Sequence, residues 1–156
     1  DATLKKDHKF CSILECVSEA ISRYPFGSRN LEKIVRMEIN NDFNFMGDKN
    51  LMIHILFNLL KNALYFTSAS KCRGKMIHIT SNRNNNWNEL CFMDNGKGIA
   101  ADVLPHIFQS FYSKTINGTG IGLSFCKRVM LSFGGDIVCD SVEEQYTKFI
   151  MSFPIN

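Results

Sequence analysis

Asp94-Asn95-Gly96-Lys97-Gly98-Ile99 stands directly after residues 87–93, which read as a strand. Two glycines in so short a loop let the backbone approach a ligand or a neighbouring element closely. A carboxylate fixed at a strand end is placed to accept a hydrogen bond from an exocyclic amine. Alone, the segment fits a Gly-rich turn with a capping Asp equally well. Its meaning depends on what flanks it.

Upstream, residues 50–66 form a predicted helix with Asp48 as its N-cap. Leu51, Ile53, Ile55, Leu56, Phe57, Leu59, Leu60, Ala63 and Leu64 make it apolar on most sides, so it is expected at the centre of the fold. Asn58 and Asn62 lie one turn apart and project from one face of this helix. Two amides on a largely buried face need partners, from neighbouring backbone or from a ligand. Downstream, Phe108 and Phe111 stand three apart, the spacing of one apolar face of a helical turn. Gly118-Thr119-Gly120-Ile121-Gly122-Leu123 then opens a helix predicted over residues 124–133, which Gly134-Gly135 ends. Backbone N–H groups at a helix N-terminus favour phosphate. The spacing is not G-x-G-x-x-G, because position 123 is Leu, and no Gly-Lys-Ser/Thr follows as in a P-loop.

The rest of the chain supplies a frame. Residues 10–24 read as an amphipathic helix stopped by Pro25, residues 27–30 as a turn and 34–39 as a half-buried strand. Residues 40–44 connect to the central helix and 67–75 form a small, polar loop. Residues 76–81 are a strand, 82–86 a hairpin tip, and 137–141 with 147–153 a closing hairpin. At 156 residues the chain is expected to be one domain, residues 1–156. Hydrophobic residues make up 45% and charged residues 21%, an ordinary globular balance that argues against disorder. A net charge of +3, from 18 basic and 15 acidic residues, is too weak to point to nucleic acid. The six cysteines form no C-x-x-C pair and no cluster with histidine, so reduced, mostly buried thiols are expected rather than zinc or disulfides. The polar start, without Met, fits an excised fragment or processed chain rather than a signal peptide.

Taken in order, the four segments resemble the N, G1, F and G2 boxes of the ATP-binding catalytic domain of sensor histidine kinases, in the GHKL superfamily. The resemblance runs from Phe10 to Asn156, and residues 118–135 look like those of hybrid quorum-sensing kinases. Thr147, shortly before Phe149, is similar to the family's last-strand Ser/Thr. The resemblance implies an α/β (α+β) fold of Bergerat type: a two-layer sandwich of a mixed sheet and three helices, with a lid at about residues 100–117. It implies ATP and Mg²⁺ as ligands. Asn62 would be the metal ligand, with Asn58 beside it and Lys114 supplying charge at the phosphates. Asp94 would accept from the adenine amino group, in part through water shared with Thr147. Gly96 and Gly98 would bring backbone near the base, and Ile99, Phe66 and Leu123 would pack on it. Gly118, Thr119, Gly120 and Gly122 would surround the phosphates.

Two positions depart from the family. Tyr65 stands where many members carry a phosphate-contacting Lys or Arg, and Ser113 where many carry Arg. A third position bears on mechanism. Family members that hydrolyse ATP usually carry Glu four residues before the Mg²⁺ Asn, as a general base. Here that residue is Asn58, and an amide cannot take the proton. A histidine kinase is therefore expected over a GHKL ATPase. A degenerate domain acting as a nucleotide-gated interaction module is the further alternative. None of His8, His54, His78 and His106 has the sequence context of the phosphoacceptor. The implied partners are a dimerisation and phosphoacceptor domain of the same parent kinase and, indirectly, a receiver domain. The isolated domain is expected to be a cytoplasmic monomer, under a parent anchored in the inner membrane.

Overall fold

The computed structural model describes residues 8–71, 73–112 and 122–155. Strand β1 (Lys9–Ser12) leads into helix α1 (Ile13–Arg23). A single helical turn, α2 (Arg29–Glu32), precedes strands β2 (Val35–Glu38) and β3 (Asn44–Gly47). Helix α3 (Lys49–Ser68), strands β4 (Ile77–Arg83) and β5 (Trp87–Asp94), helix α4 (Gly122–Ser132) and strands β6 (Asp136–Val142) and β7 (Tyr146–Pro154) follow. Five strands form one mixed sheet in the order β2-β4-β5-β7-β6, with β2 parallel to β4 and the other pairs antiparallel. β1 and β3 make a separate antiparallel pair.

The sheet is strictly two-faced. On β5, Asn88, Leu90, Phe92 and Asp94 are buried while the residues between them are not, and β7 alternates in the same way through Thr147, Phe149, Met151 and Phe153. Period-two alternation puts all of these on one face. The helices cover it: α3 packs between α1 and α4, reaching β5, and α4 packs on β6. Met52, Ile55, Leu56, Leu59 and Leu60 of α3 are buried, so this helix is central, as expected. Each such side chain contributes about 1.5–3 kcal/mol on burial. Asp48 caps α3 through the Leu51 N–H at 2.9 Å, and Gly134 leaves α4 with a positive φ of 79°.

Three local expectations change. Residues 10–12 are strand, not helix, because their backbone pairs with β3. Asp42 then accepts from the Leu14 N–H and the Ser12 hydroxyl, and Ser12 caps the Glu15 N–H, so the helix starts at Ile13. Residues 40–44 do not run straight to the central helix. Phe43 and Phe45 turn into the core, and residues 44–47 make β3. The turn at 27–30 runs into α2, capped by Ser28. Among the described residues no helix is long and apolar enough to cross a membrane. Five described cysteines are unpaired; Cys16 and Cys126 are buried and Cys11, Cys91 and Cys139 partly so.

Candidate functional site

Ile77, Asp94, Thr147 and Ser141 form one row across β4, β5, β7 and β6, on the face that the helices cover. Asp94 ends β5 and is 2% exposed; its Oδ1 accepts the Gly96 N–H at 2.9 Å. No described residue forms an ion pair with it. Burial therefore dominates, and pushes its carboxyl up to about 7, with the Gly96 bond opposing. The Cys139 thiol, the preceding inward position on β6, is pushed up to about 12 by burial and stays neutral. Thr147 is fully buried between Asp94 and Ser141.

The loop after Asp94 is held from three sides. Asn95 Oδ1 accepts the Met76 N–H at 2.8 Å, its Nδ2 donates to the Gly74 carbonyl at 2.9 Å, and its N–H donates to the Met76 carbonyl. The Lys97 N–H donates to the Phe66 carbonyl at 3.1 Å, and the Lys97 carbonyl accepts from Glu144. The Ile99 N–H donates to Ser141 Oγ at 2.8 Å. A Cβ at Gly96 would stand 2.5 Å from the Phe66 carbonyl carbon. A Cβ at Gly98 would overlap the Val142 carbonyl oxygen, and Gly98 has a φ of +70°. The two glycines thus let the loop close onto the end of α3 and onto the β6–β7 turn. Ile99 is buried beside them, and Phe66 is half-buried.

The other half of the site lies along α3. Asn58 Nδ2 donates to the His54 carbonyl at 3.0 Å. Its Oδ1 faces the start of α4: a Cβ at Gly122 would come 2.7 Å from it. Asn62, one turn on, is half-buried and has no side-chain hydrogen bond to another described residue. Leu123 is half-buried against the core. Lys97 Nζ stands 4.7 Å above the Tyr65 ring and 5.7 Å from that of Phe66. A cation therefore lies next to the departure at Tyr65, held by the ring faces. Lys114, Gly118, Thr119 and Gly120 lie outside the described residues, as does Ser113.

The two phenylalanines of the third segment part company. Phe108 packs edge-on to Phe149, with Lys127 Nζ 5.2 Å from its ring. Phe111 is 83% exposed, with a φ of 66°. With Ile107 buried, the described part of the expected lid is anchored up to Phe108. Two residues of this region, Ser141 and Lys97, were not singled out from the pattern. Lys97 was legible inside the G1-like loop. Ser141 becomes visible only through the β6–β7 register.

Among the described residues no cluster of His, Cys, Asp and Glu could hold a metal unaided. Mg²⁺ is commonly held by few protein oxygens together with substrate phosphates. The Asn62 amide oxygen, with no described partner, suits that role. A cavity of about 380 Å³ lies instead between β1 and the start of α3, lined by Cys11, Cys16 and Lys49 among others, and includes none of these residues.

Residues 47–156 match the model of the family described as histidine kinase-, DNA gyrase B- and HSP90-like ATPase. The CAI-1 autoinducer sensor kinase/phosphatase CqsS of Vibrio cholerae is 37% identical over 146 residues, covering 92% of this chain and 20% of that protein. The chain thus spans about a fifth of the length of this relative. Among solved structures, a mycobacterial sensor histidine kinase, MprB, superposes with a TM-score of 0.77 at 21% identity, over 94% of this chain and 97% of that one. Full-length ShkA in complex with AMPPNP gives 0.76 at 20% identity, over 95% of this chain and 31% of that one. The two-layer architecture is that of histidine kinase catalytic domains, and the chain belongs to the family of histidine kinase-, DNA gyrase B- and HSP90-like ATPases.

Proposed function

We propose that this chain is the single catalytic ATP-binding domain, residues 1–156, of a longer sensor histidine kinase. It binds Mg-ATP and passes the γ-phosphoryl group to a histidine on a separate dimerisation and phosphoacceptor domain of the same parent, with a receiver domain downstream. One observation carries the choice of kinase over hydrolase. Asn58 is an amide whose N–H₂ is engaged by the His54 carbonyl and whose oxygen faces Gly122. It has no basic lone pair at neutral pH with which to activate water. A neutral imidazole needs no such base, so transfer rests on positioning and charge neutralisation.

In this reading Asp94 accepts from the adenine amino group, Thr147 lies beside it, and Ile99, Phe66 and Leu123 pack on the base. The backbone at Gly96 and Gly98 closes that end, and Gly118, Thr119, Gly120 and Gly122 surround the phosphates with Lys114. Asn62 would hold Mg²⁺, which when bound neutralises phosphate charge. Asn58 orients its oxygen toward the same region. The acceptor lies elsewhere: His54 packs near Phe125, His78 Nε2 lies 3.3 Å from a Glu38 carboxylate oxygen, and His106 meets Gln109 at 3.2 Å. The domain works as a cytoplasmic monomeric unit, where ATP is supplied, under a parent anchored in the inner membrane. A degenerate, interaction-only domain is favoured by Tyr65 and Ser113, but the ammonium of Lys97 over the Tyr65 ring opposes the first of these.

The test uses the purified chain, γ-labelled Mg-ATP and an added acceptor hairpin. Label on the hairpin with negligible phosphate release supports the proposal. Turnover above about 1 per second, the lower end of typical enzyme rates, favours the hydrolase. Failure to bind ATP favours the interaction module. Asn62→Ala is expected to abolish transfer and to weaken Mg-ATP more than metal-free adenosine. Equal weakening of both would make Asn62 structural.

A further inference from the structure

The Ser141 hydroxyl carries one hydrogen and two acceptor positions. Its hydrogen goes to the Tyr146 carbonyl at 2.7 Å, a group that can only accept. One acceptor position takes the Ile99 N–H at 2.8 Å, a group that can only donate. Both polarities are therefore fixed by backbone. The remaining contact is Thr147 Oγ1 at 3.3 Å. With its own hydrogen engaged, Ser141 meets Thr147 only as an acceptor, so the Thr147 hydroxyl is the donor. Thr147 is fully buried and sits in register between Ser141 and Asp94. A threonine hydroxyl otherwise turns freely and offers a hydrogen or a lone pair as its neighbour requires. Here its hydrogen points along the row, away from Asp94, and only lone pairs remain for anything else that meets it.

We infer that Ser141 is a positioning residue for base selectivity: by holding the Thr147 hydroxyl as a donor to itself, it leaves Thr147, together with Asp94 in its ionised form, as an all-acceptor pair that selects a 6-amino purine over a purine with an acceptor at position 6. The inference rests on the proposed adenine site and adds to it a residue outside the four boxes. An exocyclic amine brings two hydrogens to such a pair. An oxygen at the same position brings lone pairs against lone pairs, and leaves buried acceptors without a donor. The Ile99 bond links this selectivity to the Gly-rich loop, since the hydroxyl that orients Thr147 also anchors the residue expected to pack on the base.

The experiment compares ATP with 6-methoxypurine riboside triphosphate, which carries an oxygen acceptor at position 6 and leaves N1 an acceptor as in adenine. Both are titrated at pH 8.5, where Asp94 is ionised, with Mg²⁺, against the wild-type chain and Ser141→Ala, Ser141→Thr and Thr147→Val. The wild type is expected to prefer ATP by about ten- to a hundredfold. Ser141→Ala frees the Thr147 hydroxyl to turn and donate to the methoxy oxygen, so the preference falls about tenfold. Ser141→Thr keeps a hydroxyl and restores it. Thr147→Val removes the oriented oxygen and lowers the preference without touching Ser141, which keeps the test open should Ser141→Ala not fold. A merely structural role for Ser141 would weaken both nucleotides alike. An unchanged preference in folded Ser141→Ala, or in Thr147→Val, overturns the inference while ATP binding itself stands. Absence of ATP binding by the wild type overturns the proposed site, and this inference with it.

Discussion

At the β5 end of the site, polar groups are bonded into the fold: Asp94 to Gly96, Asn95 to Gly74 and Met76, Ile99 to Ser141. On the α3 face, among the described residues, Asn62 has no side-chain partner and the Asn58 side chain bonds only to its own helix. The first region is built like a core and the second, among the described residues, like a surface with spare hydrogen-bonding capacity. The contrast follows from what each end holds in the proposed reading. A flat base needs a crevice of fixed depth, which strands and a pinned loop provide. A triphosphate brings its own charge and metal, so amides and backbone N–H groups left free are what it needs. Changes at the β5 end should therefore register in stability, and changes on α3 in binding and transfer.

The largest effect is expected at Gly98. An alanine there adds a Cβ onto the Val142 carbonyl and the Glu143 backbone, at a φ of +70° that L side chains rarely adopt. A left-handed conformation costs about 1–2 kcal/mol, and overpacking typically about 1–3 kcal/mol more. Gly98→Ala is expected to lose about 2–5 kcal/mol in urea denaturation of the nucleotide-free domain, a large share of the stability of a typical domain. An unchanged midpoint would mean that the loop is not pinned to the β6–β7 turn.

Asp94 should separate stability from function. Its carboxyl sits at about 7 in the fold against 3.8 as the reference, raised by burial. The native state then binds the proton more tightly than the unfolded chain, so stability falls as pH rises. The contribution is fully present below about pH 4, is lost between about pH 4 and 7, and stays lost above. Three units would correspond to about 4 kcal/mol as a ceiling. Asn keeps an oxygen for the Gly96 N–H and carries no charge, but it is itself a buried amide. Asp94→Asn is expected to stabilise the nucleotide-free domain at pH 8 by about 2 kcal/mol and to flatten its stability between pH 4 and 7. Its affinity for an adenine nucleotide should fall about ten- to a hundredfold. Chemical denaturation across pH and a fluorescent nucleotide titration read the two halves. Unchanged nucleotide binding would remove Asp94 from the base site.

The same contrast governs how much was legible in the sequence. Period-two and helical patterns placed β5, β7, α1, α3 and α4, because each buries one face and the pattern records that face. β1 and β3 were missed. They are four residues each, and their identity comes from pairing with each other, which local composition does not encode. The loop glycines were legible as a close approach, but the object approached was not. Phe66 and Val142 lie 30 and 44 residues from Gly96 and Gly98, and only the fold brings them together. That Asn58 and Asn62 share one face of α3 was readable from helical spacing alone. Ser141 was not, since its role depends on a cross-strand register and on the direction of three hydrogen bonds.

The smallest effect on stability is expected at Gly122, where the neighbour is a side chain rather than backbone. A Cβ there meets Asn58 Oδ1 at 2.7 Å and the rest of that amide no closer than 3.4 Å. An amide end can rotate away, which the Phe66 and Val142 backbones cannot. Alanine also removes the entropic cost of glycine in a helix, about 0.5–1 kcal/mol. Gly122→Ala is therefore expected to change stability by less than about 1 kcal/mol in either direction. The rotated Asn58 amide should nevertheless leave the His54 carbonyl and turn its oxygen from α4. Phosphotransfer to the acceptor hairpin should then fall several-fold while the denaturation midpoint stays near that of the wild type. A loss of stability comparable to that of Gly98→Ala would show that the α3 face is as rigidly built as the β5 end. An unchanged transfer rate would show that the orientation of Asn58 does not bear on the reaction.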